Sequence, residues 1–131
     1  MDYNEFVGHV QHRARASSAE EAIGSIRATL SVLAQRLAGQ EPDNLAAQLP
    51  PEIGRYLRQQ QAKSERFGLQ AFFERVADQE DADLPDAVHH ARAVVSVLRD
   101  AVSQGELDNV RAQLPEEYDP LFESGSEGQL A

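Results

Sequence analysis

The stretch NLAAQLPPEIGRYL, residues 44–57, is written again as NVRAQLPEEYDPLF, residues 109–122. The two copies stand 65 residues apart, and the same offset extends beyond them. It pairs Ala22 with Ala87, Arg27 with Arg92, Ala28 with Ala93 and Asp43-Asn44 with Asp108-Asn109. It also carries Ser31-Val32-Leu33 onto Ser96-Val97-Leu98. Upstream the offset becomes 66, pairing Phe6 with Phe72 and Val10 with Val76. The extra residue falls near Ala16–Ser18, where a loop absorbs a slip that a helix would not. A repeat at fixed period is the signature of a duplicated supersecondary unit.

Each copy reads as helix. Tyr3, Phe6, Val7 and Val10 follow the three-and-four spacing of an amphipathic helix. Ser18 followed by Glu21 fits a capping box. A long helix with Ala19, Ile23, Ile26, Leu30, Leu33 and Leu37 on one stripe comes next, with Gly39 placed to end it. Leu45 and Leu49 belong to a short third helix stopped before Pro50. Pro51 then suits the first turn of a fourth, whose apolar side is Ile53, Tyr56 and Leu57. The second copy repeats the scheme with Phe72, Phe73 and Val76, an acidic loop QEDAD, and Asp83 as a cap before Pro85. Val88, Ala91, Val95, Leu98 and Val102 form its long stripe, ended near Gly105. Val110 and Leu114 mark the third helix, and Tyr118, Leu121 and Phe122 the fourth.

No alternating apolar run is long enough for a strand. The expected fold is therefore all-α: a tandem duplication of a four-helix unit, about eight helices in one compact bundle with pseudo-twofold symmetry. Its divisions are a first helical repeat at 1–60, a linker at 61–66, a second repeat at 67–122 and a disordered tail at 123–131. Small matched residues off the main stripes, Ala28 and Ala93, predict a second buried face on each long helix, near a central axis. The AQLP phrase reads as a corner: Leu49 or Leu114 in the core, then a proline that stops one helix and starts the next.

Composition narrows function. The 131 residues carry a net charge of −10, with eleven arginines, one lysine (Lys63) and no cysteine. Absence of cysteine excludes disulfides, thiolate catalysis and Cys-ligated metal. The acidity opposes general affinity for nucleic acid or anionic membrane, so neither is an expected partner. It also disfavours DNA binding by helix-turn-helix-like units. No apolar run approaches the ~20 residues of a membrane span, and no basic-then-apolar leader opens the sequence. A cytoplasmic location is expected. An acidic, lysine-poor chain fits a salty cytoplasm, and a high-GC genome accounts for the missing lysine equally well. Residues 1–65 hold eight acids against seven bases, whereas residues 66–131 hold fourteen against five.

The segments DYNEFVGHVQHRA, LAQRLAGQEPDNLAAQLPPEI, FFERVA and AVVSVLRDAVSQGELDNVRAQLPEEY resemble the domain-of-unknown-function family 2267, over nearly everything from Asp2 to Phe122. That resemblance implies a helical prokaryotic protein of uncharacterised role, its acidic members typical of salt-loving microbes. It brings no catalytic or binding motif to carry over.

Candidate chemistry is sparse. Glu5, His9 and His12 fall on one face of the first helix and could ligate zinc or a similar ion, although an ordinary polar face is the plainer reading. Arg27 and Arg92 could form a symmetric pair for an anion or partner; the plainer readings are that each pairs with an acid of its own repeat, or that Asp43 and Asp108 cap the third helices. His89 and His90 diverge by about 100° on a helix, and His90 is expected half-buried at the contact between the repeats. The acids Glu80, Asp81, Asp83, Glu116, Glu117 and Asp119 sit near helix starts, where the helix dipole favours them.

No Gly-rich phosphate loop, nucleophile elbow or HExxH helix occurs. No catalytic residue and no cofactor are expected. The leading expectation is a non-enzymatic, soluble helical module for interaction or regulation, with an unidentified protein partner. The alternative is a small-molecule- or metal-binding stress protein using the groove between the repeats. Phe67, Leu69 and Phe73, around the linker, are expected to cover the core or to form a homodimer contact.

Overall fold

A computed structural model describes residues 1–59 and 63–123. Among them the chain is all-helical. The helices are α1 (Tyr3–Ala14), α2 (Ala19–Arg36), α3 (Glu41–Ala46), α4 (Pro51–Arg58), α5 (Leu69–Glu80), α6 (Leu84–Ala101), α7 (Gln104–Ala112) and α8 (Asp119–Glu123). A 3₁₀ turn, Glu116–Tyr118, leads into α8. All but Glu123 of the expected tail, and Gln61 and Ala62 of the expected linker, lie outside the described residues; Glu123 itself closes α8.

The helix starts follow local chemistry. The Asp2 carboxylate accepts from the Glu5 amide at 2.8 Å, and Glu5 Oε1 accepts from the Asp2 amide at 2.9 Å, a reciprocal capping box. Ser18 caps α2 as expected, but Glu21 reaches past it to accept from the amide and hydroxyl of Ser17. Asp83 caps α6 by accepting from the Asp86 amide, with Pro85 in the first turn.

Helix ends depart from the glycine rule. α2 stops at Arg36, and Leu37 turns extended so that its side chain enters the core. Gly39 takes φ 64° in the turn that follows, instead of closing the helix. Gly105 lies inside α7, which Ser103 caps; α6 has already ended at Ala101. Likewise Gln79 and Glu80 of the expected acidic loop still belong to α5.

The two 18-residue helices are central. α2 packs against α1, α4, α5 and α6, while α6 packs against α1, α2, α5 and α8. Each is therefore covered on several sides, and burial runs unbroken over residues 28–34 and 93–98. Ala28 and Ala93 are both buried, as their small size predicted. The outer end of the α2 stripe is an exception, with Ala19 exposed and Ile23 half-buried. α1 crosses onto α6 through Arg13, which donates to Ser96 Oγ at 3.0 Å and pairs with Asp100 at 2.7 Å. α5 crosses onto α2 through Arg75, which donates to Gln35 Oε1 at 2.8 Å. One apolar cluster runs through both halves.

Phe67, Leu69 and Phe73 join that core. The Phe67 ring lies 3.9 Å from the Arg75 guanidinium carbon, and its carbonyl accepts from the Tyr118 hydroxyl at 2.7 Å and Arg36 Nε at 2.9 Å. Among the described residues the exposed large apolar side chain is Met1.

The AQLP corner differs between its copies. α3 ends at Ala46, and Ala47–Leu49 make a tight turn before Pro50. Leu49 is buried, but Leu114 is only half-buried. Leu49→Ala is therefore expected to cost about 2 kcal/mol in urea unfolding and Leu114→Ala clearly less; equal losses would contradict the difference in packing. After the corner, α4 is one continuous helix, whereas Glu116–Glu123 passes through 3₁₀ geometry first. Pro120 has no N–H to give the Glu116 carbonyl, which accepts instead from Asp119.

Gly54 marks the closest backbone approach. A Cβ there would lie 2.7 Å from the Ala46 carbonyl oxygen, part of the α3 backbone. Gly54→Ala must push α4 off α3, with an expected loss of about 1–3 kcal/mol. A variant as stable as the wild type would show that α4 can slide without cost.

Candidate functional site

The seam between α3 and α7 joins the two halves away from the central helices. Two glutamines of the AQLP phrases close it reciprocally. Gln113 Oε1 accepts from the Ala38 amide at 2.8 Å, and its Nε2 donates to the Ala38 carbonyl at 3.4 Å. Gln48 Oε1 accepts from the Ser103 amide at 2.8 Å. Gln48 and Gln113 are related by the 65-residue offset, as are Ala38 and Ser103. Each half thus grips the turn that precedes the other half's third helix.

Between these clasps lie Glu41, the first residue of α3, and Glu106, in the first turn of α7. Each is only 7 % exposed. The Oε2 atoms of both are buried and meet no protein donor. Burial, then the hydrogen bond and charge of Glu106, push the Glu41 carboxyl up to about 7. Two carboxylates cannot both ionise cheaply at such a contact. A single proton shared between the two carboxyls would give both buried oxygens a partner. The pair also matches at offset 65. The repeat could have flagged both residues, but their polarity placed them outside every apolar stripe.

A second buried polar pair lies on the α5–α6 hairpin. His90 Nδ1 stands 3.0 Å from Glu80 Oε1, with the two side chains 18 % and 6 % exposed. Its hydrogen bond to Glu80 raises the His90 pKa against the opposing effect of burial, and Asp86 and Glu21 add to the rise. His90 is half-buried as expected and interacts with Glu21 of the first half, while the hydrogen-bond contact with that half is made by His89, whose Nε2 lies 3.2 Å from the Ala14 carbonyl oxygen.

The other expected residues are dispersed. Glu5 is engaged in the α1 capping box, and His9 and His12 are exposed. Among the described residues no group of three or more His, Asp or Glu side chains could hold a metal ion. Arg27 is exposed while Arg92 is half-buried with contacts of its own, so the matched arginines occupy unlike surroundings. Asp43 and Asp108 do not cap their helices. Gln40 and Ser103 stand at those positions, Asp43 pairs with Arg58 at 3.6 Å, and Asp108 accepts from Gln104 at 2.9 Å. Glu117 accepts from the Leu69 amide at the start of α5, and Asp119 pairs with Arg111 at 3.1 Å. A shallow groove lies beside Met1–Asn4 and Pro50–Glu52, within the first half and not between the halves. No described helix is long and apolar enough to cross a membrane.

A family model described as Uncharacterized conserved protein (DUF2267) matches residues 3–121. No curated protein matches the chain.

Proposed function

The chain belongs to the DUF2267 family, and from that premise we propose a non-enzymatic helical module for protein interaction or regulation. The observation that supports this reading is the α3–α7 seam. It sets two carboxyl groups against each other where apolar side chains would bind the halves more tightly. Such a contact is poised to change with conditions, which suits regulation better than passive scaffolding. The repeated order of helix lengths, 12 then 18 residues in each half, supports a tandem duplication as the origin of the frame. The family resemblance supports a prokaryotic setting, and the acidic, lysine-poor composition fits a salty cytoplasm, with a high-GC genome an equal account of the missing lysine.

The test is affinity capture of the tagged full chain from native lysate at matched salt, repeated with the tag at the other end. A specific protein recovered both ways, and binding again when purified, upholds the reading. Recovery of nothing reproducible counts against it. A thermal-shift screen over metabolites, nucleotides and divalent ions addresses the ligand-binding alternative. There, a melting temperature rising with the logarithm of ligand concentration would replace the interaction reading.

A further inference from the structure

We propose that the α3–α7 seam is a proton-operated latch: one proton held between Glu41 and Glu106 keeps the two helices docked, and its loss to solvent releases them while the central core stays folded. The geometry carries this. Both residues are more than nine-tenths buried, and each keeps a buried carboxyl oxygen without any protein donor. With the proton present, those oxygens satisfy each other. Without it, two negative charges face each other, and their repulsion works against the glutamine clasps and the packing of Leu45, Ala46, Leu107 and Val110 in the core.

Among the described residues no other group at the seam supplies a compensating charge. On α3 itself Asp43 pairs with Arg58 of α4. On α7, Arg111 is taken by Asp119, and Asp108 accepts from Gln104. Glu52 and Arg55, the other charged residues of α4, are exposed. Among the described residues the charged group that acts on Glu41 is Glu106. A divalent cation is a poorer occupant than a proton, because it demands six or more oxygens and no third acid or histidine gathers there.

The surrounding architecture localises the effect. α7 makes its main helix–helix contact with α3, whereas α2 and α6 are embraced on several sides. Release at the seam therefore loosens α7 and the corner at Gln113 without opening the core. The latch changes state near neutral pH, since burial and the facing carboxyl raise Glu41 to that range. The inference does not depend on whether a partner protein exists.

The test uses the full chain labelled with carbon-13 at glutamate carboxyls, titrated by NMR from pH 4 to 9, with amide exchange measured in parallel. One carboxyl step of the pair is expected in the neutral range. Exchange protection in α3 and α7, corrected for the intrinsic rate, is expected to fall about tenfold or more between pH 6 and pH 8. Protection in α2 and α6 should stay constant. Glu41→Gln and Glu106→Gln should each make seam protection independent of pH, so either variant serves if the other misfolds. The proposal is overturned if both carboxyls titrate in the ordinary range. Seam protection that ignores pH, or that changes equally in α2 and α6, overturns it too. Millimolar calcium or magnesium restoring seam protection at pH 8 would make a cation the occupant and also overturn it.

Discussion

Lowering the pH from 8 to 5.5 is expected to raise the melting temperature by about 3–8 °C, and Glu41→Gln is expected to remove most of that slope. The sign follows from proton uptake. Glu41 has a higher pKa in the folded chain, about 7 against 4.5, so the folded state binds the proton more tightly. Stability from this group is complete below about 4.5, and it is lost as pH rises through about 7. The full shift corresponds to about 3 kcal/mol; water at the rim of the seam screens the pair, leaving about 1–2 kcal/mol. His90 acts in the same direction. Its raised folded-state pKa gives stability that is complete below 6.5 and lost at higher pH. Glu21 and Glu65, held low by Ser17 and Arg75, lose their contributions only in the acid range below 4.5, outside this window. In Glu41→Gln no second carboxylate can ionise against Glu106, so the variant gains most at pH 8 and keeps only the His90 part of the slope. An unchanged pH profile in the variant would show that Glu41 does not govern it.

Phe72→Ala is expected to be the most damaging single truncation, costing about 3–5 kcal/mol. Phe72 is fully buried on α5, the helix that lies across both α2 and α6. Its ring meets Phe73 at 6.0 Å and Tyr118 at 5.9 Å between centroids, both edge-on. Truncation removes both aromatic contacts and leaves a void that side chains on three elements would have to collapse to fill. Urea unfolding should show a lower midpoint with the slope retained. A loss below about 1.5 kcal/mol would mean that α5 repacks freely and that the aromatic trio is dispensable.

Most of the fold was legible because helices are written locally. Three-and-four spacing located every long helix, and Asp83-Leu84-Pro85 announced the start of α6. Glycine was a poorer guide to helix ends. Leu37 and Val102 leave helical geometry before Gly39 and Gly105 are reached, and in Leu37's case the core sets the stopping point by claiming the side chain. The duplicated phrase correctly signalled a corner, but matched sequence did not mean matched environment. Pro120, standing where the first half has Arg55, breaks the fourth helix into two geometries, and Leu114 loses the cover that Leu49 keeps.

The candidate site was legible only in part. The conspicuous residues, Glu5 with His9 and His12, or Arg27 with Arg92, turned out capped, exposed or unlike in environment. By itself the sequence determined an all-helical chain, the order of its helices and the N-caps of the two long ones, Ser18 and Asp83, since these depend on neighbours within four residues. The tertiary structure alone decided that Gln48 and Gln113 clasp opposite halves, and that Glu41 and Glu106 meet with their charges buried. A carboxyl's proton affinity depends on what lies across the contact and on how much water is excluded. Neither is written within reach of a single helix.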